Sequence, residues 1–241
     1  MLVINYSNKG WVSLKKEKHQ DNLQGAFLLP CGDMNILRRH WFDIGGLLAV
    51  LVLVYLYGNY HHLSTISVIL WLSLASLFIH QIEEYRFPGY FPGMLNSVMY
   101  KSNWPDRYPL NAQTSFIVNV LMGWLVYFLA AIFADHFIWL GIGAMLVSLG
   151  NVVAHTTLFN LKGKTWYNPG LLTSWILFVP LFYWFIHTIY LHRLASIADV
   201  IIGIVLGIVL NVFGILKIID WMADRNSTYV FEQRQLRQQD R

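Results

Sequence analysis

Six runs of about twenty mostly apolar residues, at 41–59, 63–82, 112–134, 137–160, 170–191 and 197–219, constrain this chain more than any other feature. A run of that length is what an α-helix needs to cross the roughly 30 Å hydrocarbon core of a bilayer. Backbone groups facing lipid must be satisfied inside their own segment, so each run reads as a transmembrane helix. Charged residues make up 12% of the 241, against about 25% in a soluble domain. That balance excludes a disordered chain, a coiled coil and a nucleic-acid binder. The single cysteine, Cys31, excludes a disulfide framework and a thiolate zinc cage. The expected architecture is an all-α polytopic bundle of six transmembrane helices over 41–219. A polar N-terminal tail (1–40) and a basic tail (220–241) flank it, and Pro180 predicts a kink in the fifth span.

Charge placement orients the bundle. With six spans, residues 1–40, the 83–111 and 161–169 loops and the 220–241 tail share one side of the membrane. Of the 17 lysines and arginines, only Arg193 falls on the other side. By the positive-inside rule both termini are expected in the cytoplasm, with the protein in the cell membrane. The first 33 residues are polar, lack an apolar signal-peptide core and hold Lys15, Lys16 and Lys18. They read as a loose tail, with a membrane-surface anchor as the alternative. MNILRRHW, from Met34, also has the look of a translation start leading into the first span.

Ionisable groups inside spans are costly and by default mark function. The second span ends in LFIHQIEEYRFPG, where His80, Glu83 and Glu84 stand at i, i+3 and i+4 on one helical face. Two adjacent acids in an apolar helix need a cation or a shared proton. The fourth span holds Asn151 and His155, again one turn apart and at a comparable depth. Two imidazoles and two carboxylates form an N/O ligand set for zinc, iron or manganese. In a catalytic zinc site His80, His155 and one of Glu83 and Glu84 would bind the metal, and the other glutamate would act as general base. Asn151 would polarise a substrate carbonyl or hold a water. Asn119 and Asn211, in the third and sixth spans, read chiefly as interhelical hydrogen-bond formers.

HQIEE from His80 to Glu84, NVVAH from Asn151 to His155, and Pro169 with Gly170, in that order, resemble the three signatures of the HXXEE-domain family of small, mostly bacterial membrane proteins. The resemblance spans about 41–185. It implies a metal-associated membrane domain whose activity is not established. Paired glutamates with an asparagine and a histidine on other helices also resemble the CAAX-processing intramembrane proteases. Arg86, however, follows Glu84 at two residues rather than four, and asparagine precedes histidine.

The expected function is metal-dependent hydrolysis of a lipid-like or amphipathic substrate at the cytoplasmic leaflet, with membrane lipids as the surroundings and zinc ahead of iron. An iron-dependent oxidase ranks second, because the repeated H-x-x-H pairs of membrane di-iron enzymes are missing and His61, His62, His187 and His192 fall near the opposite face. A proton-coupled carrier ranks third, for want of an inverted repeat. The 85–110 loop, with its Pro-Gly steps and seven aromatic residues, reads equally as a lid over the site or as an ordinary interfacial aromatic belt.

Overall fold

Among the described residues, six helices are long and apolar enough to cross a membrane: α1 (Ile36–His62), α2 (Thr65–Tyr85), α3 (Ala112–Ile132), α4 (Ile138–Gly163), α5 (Leu171–His192) and α6 (Ile197–Trp221). The computed structural model describes residues 31–241, with side chains from Ile36 onward. The readings placed on residues 1–30 lie outside the described residues. No strand occurs among the described residues, as the all-α expectation requires.

Local chemistry sets where the helices begin. Ser64 accepts from Ser67 N at the head of α2, and Asn111 accepts from Thr114 N at the head of α3. Ser196 and Asp199 form a reciprocal capping box at the head of α6. The second helix runs to Tyr85 rather than stopping near residue 82, so His80, Glu83 and Glu84 all sit on continuous helix. In the fifth helix a π-helical segment, Ser174–Phe178, precedes Pro180, which sits in the first turn of the α-helical stretch Val179–His192. Further π-helical segments interrupt α3 (Ile117–Trp124), α4 (Ala154–Leu158) and α6 (Leu210–Lys217).

Lipid gives helices no hydrophobic reason to associate, so close packing of small residues takes that place. Gly203 and Gly207 of α6 lie against Ile142 and Leu146 of α4, and Gly143 of α4 lies against Leu206. Asn211 donates from Nδ2 to Leu146 O (3.3 Å) and Gly207 O (2.8 Å), the interhelical role expected of it. A Cβ at Gly203 would stand 3.0 Å from Trp139 O and closer still to the Ile142 side chain. Gly203→Leu is therefore expected to lower the melting temperature in detergent by about 5 °C, since overpacking costs about 2 kcal/mol. A melting curve of the purified variant checks it.

Arg39–Arg241 form one unit. At the end of the bundle where α2 terminates, a second core joins Trp41, Phe42, Tyr85, Met94, Leu95, Leu110 and Phe159 with Phe231 and Leu236 of the C-terminal segment. That segment does not stand away from the helices. Phe231 N donates to Asp106 O (2.8 Å), Ala112 N donates to Tyr229 O (3.0 Å), and the Arg234 guanidinium lies 5.4 Å from the Phe42 ring centroid. Arg237 pairs with Asp240 at 2.6 Å. Arg234 thus packs the tail against the end of α1, while Arg237 bonds within the tail.

Candidate metal centre

His80 comes from the last turns of α2 and His155 from the π-helical segment of α4, a segment type that is rare and concentrated at functional sites. Their ring centroids are 5.1 Å apart with the planes nearly perpendicular. Glu84 lies between them: its Oε1 is 3.2 Å from His155 Nε2 and 3.6 Å from His80 Nε2. One ligand atom from each residue lies within 4.8 Å of the others, so the three side chains could hold a metal ion. Exposures of 1% for His80, 5% for Glu84 and 0% for His155 place the cluster inside the protein.

The outer hydrogen bonds fix the Nδ1 proton of each imidazole. Asn168 donates from Nδ2 to His155 O and to Asn160 Oδ1, both at 2.8 Å, which turns its Oδ1 toward His155. That oxygen only accepts, so His155 Nδ1 donates to it at 2.6 Å. Around His80 the same logic passes through a hydroxyl. Thr173 Oγ1 donates to Glu83 Oε2 at 2.6 Å, and a hydroxyl has one proton. Thr173 must therefore accept from His80 Nδ1, 2.8 Å away. In their neutral form both rings turn an unprotonated Nε2 inward, 3.6 Å (His80) and 3.2 Å (His155) from Glu84 Oε1, and neither Nε2 has a hydrogen-bond partner. Two lone pairs and a carboxylate converge without a donor among them. Such an arrangement fits a cation, and the partners on the far nitrogens are what metal-binding histidines ordinarily have.

Glu83 does not join this group. Residues i+3 and i+4 fall on either side of the helical position directly above i, and the two glutamates diverge accordingly. The Glu83 carboxylate accepts from Tyr167 Oη (2.9 Å), Leu172 N (3.2 Å), Thr173 N (2.9 Å) and Thr173 Oγ1. Those backbone donors are orphan N–H groups at the start of α5, where a carboxylate is favoured. Burial first, and donation to the Glu83 carboxylate second, raise the Tyr167 phenol pKa well above the usual tyrosine range. Because its folded-state pKa is raised, the stability it contributes is complete below about pH 10 and disappears as the pH climbs further. Melting temperature is accordingly expected to fall less between roughly pH 9 and 11 in Tyr167→Phe than in the unaltered protein.

Asn151 stands apart from the three ligands. Its Nδ2 donates to Val147 O within α4 (3.1 Å), and its side chain lines a cavity of about 120 Å³ whose wall also contains His80 and Glu84. Gly170, the last residue of the sequence pattern, has φ +101°, and a Cβ there would overlap the His155 ring. Only glycine fits both the backbone conformation and the close approach. The 85–110 loop reaches the site through Phe91, whose ring lies 5.4 Å from that of His155. Tyr167, Asn168 and Thr173 were not singled out by the sequence as site residues. Their nearness to Pro169 and Gly170 was the available signal.

Residues 71–185 match the family model described as "Protein of unknown function with HXXEE motif", which bears out the resemblance read from HQIEE, NVVAH and the Pro-Gly pair. No curated protein and no solved structure matches the chain.

Proposed function

We propose that this HXXEE-motif membrane protein is a metal-dependent hydrolase, with zinc as its metal and an ester or amide of a lipid-like, amphipathic molecule as its substrate. The observation that carries the proposal is the convergence of two imidazole nitrogens, each ring held by a partner outside the cluster, on one buried carboxylate. His80, His155 and Glu84 form a three-ligand set with a fourth position left for water or substrate, the pattern of catalytic rather than structural zinc. A zinc ion there would supply Lewis acidity and lower the pKa of water to about 7.

The chain's own residues do the rest. Asn168 and Thr173 keep both imidazoles in the binding tautomer. Glu83, saturated with donors, fixes Thr173, so its part is positioning rather than base chemistry. Asn151, on the cavity wall one turn before His155, is placed to orient a polar group of the substrate. Phe91 keeps bulk water off the rings. In the overall reaction the oxygen of water bonds to the acyl carbon, the bond from that carbon to the leaving oxygen or nitrogen breaks, and the leaving group takes a proton. The segregation of basic residues supports assigning this end of the bundle to the cytoplasmic leaflet.

Zinc-loaded protein in nanodiscs containing a bacterial lipid extract, incubated in ¹⁸O-labelled water, is expected to place ¹⁸O in a carboxylate product found by mass spectrometry. The Glu84→Gln protein should give none. Label entering from ¹⁸O₂ instead of water, with iron required, would replace this reading by the oxidase one. Thr173→Val, which leaves His80 Nδ1 without an acceptor, is expected to weaken zinc binding by about 10–100-fold. Competition with a fluorescent chelator measures it.

A further inference from the structure

The cavity beside Glu84 has a lining that selects its occupant. Its wall runs along α2 from Leu77 through Gln81 to Glu84, and along α3 from Val118 through Met122 to Val126. Seven residues of helix cover about 10 Å. The space along that length, about 120 Å³, is lined mainly by aliphatic side chains. Val147 of α4 and Leu210 and Ile215 of α6 close the far side.

The polar residues in the wall do not make it a water channel. Trp124 Nε1 donates to Gln81 Oε1 (2.7 Å), Gln81 Nε2 donates to Asn119 Oδ1 (3.0 Å), and Asn119 Nδ2 donates to Ser115 O (2.9 Å) and Tyr85 Oη (3.3 Å). With their hydrogen bonds spent on one another, these groups hold α2 and α3 together and leave a largely apolar surface. Dry apolar cavities of about this size take a small hydrocarbon.

We infer that this slot binds an aliphatic chain of the substrate, with the chain's polar end at Glu84 and His80, and that Gly123 sets how much of that chain it admits. The inference rests on the metal-site reading above and adds the substrate's class. Gly123 borders the slot with no side chain. A Cβ there would make only ordinary contacts, 3.6 Å to Val118 O and 3.7 Å to Leu77 Cδ2, so Gly123→Ala fits the fold, whereas a longer side chain would enter the slot.

Alkyl hydroxamates test this, because their head chelates zinc and their tail can be lengthened one carbon at a time. Calorimetric binding to the zinc-loaded full chain in nanodiscs is expected to tighten about fourfold per methylene. That amounts to about 250-fold over the four methylenes between acetohydroxamate and hexanohydroxamate. Gly123→Leu should bind acetohydroxamate as the unaltered protein does and lose most of the gain from longer tails. Val147→Phe, on the opposite wall, repeats the test should the first variant fail to fold. Acetohydroxamate binding with the same length dependence in both variants as in the unaltered protein would overturn the slot and leave the metal centre standing. No binding of acetohydroxamate at all would overturn the metal centre, and the slot with it.

Discussion

Glu84→Gln is expected to reduce zinc from about one ion per chain to less than about a tenth after gel filtration, while the protein still folds. The carboxylate is the only acidic member of a cluster whose other two members are imidazoles. Zinc binding worth about 10–16 kcal/mol over three or four ligands assigns roughly 3 kcal/mol to each, a loss of a hundredfold or more. Glutamine keeps the volume and brings an NH₂ that can donate to the bare Nε2 atoms. The metal-free variant should therefore melt no lower than the metal-free parent. Elemental analysis and a melting curve, with and without chelator, read both quantities. An unchanged zinc content would remove Glu84 from the ligand set.

The second large effect is expected at a residue with no chemistry of its own. Gly170→Ala places a methyl group where the His155 ring sits, on a backbone with φ +101°. The conformation alone costs about 1–3 kcal/mol for a residue with a Cβ. Relieving the overlap requires His155 to leave Asn168 or the loop to lift from α4. A melting temperature lower by about 10 °C follows from a combined cost of about 4 kcal/mol. Zinc affinity should fall together with it. Pro169→Ala, which adds nothing to the ring's space, is the matched control and should keep its metal. Equal zinc affinity in Gly170→Ala and the unaltered protein would show that His155 does not need the position it holds.

The sequence revealed the helices and the two histidines for one reason: in lipid, length and polarity leave few alternatives. Six apolar runs became six helices, and His80 and His155, read as lying at one depth, are in ring contact. The outer layer was not legible. Thr173 and Asn168 approach from α5 and the loop before it, and their roles depend on which way a hydroxyl proton and an amide point. Glu83 and Glu84 were indistinguishable by spacing. The packing of the α5 N-terminus against α2 separates them, giving Glu83 four donors and Glu84 none from the backbone. The π-helical segments left no compositional trace. Phe231 and Leu236 sit in a polar, arginine-rich tail, and only the folded chain brings them against Tyr85 and Met94.

The convergence on a shared cation is tested most directly by X-ray absorption at the zinc edge of the purified, zinc-loaded protein. Two imidazole nitrogens and a carboxylate oxygen at about 2.0–2.2 Å are predicted, with one imidazole lost in His155→Ala. A spectrum with no imidazole scattering, or one unchanged when His80 and His155 are both replaced, would contradict it.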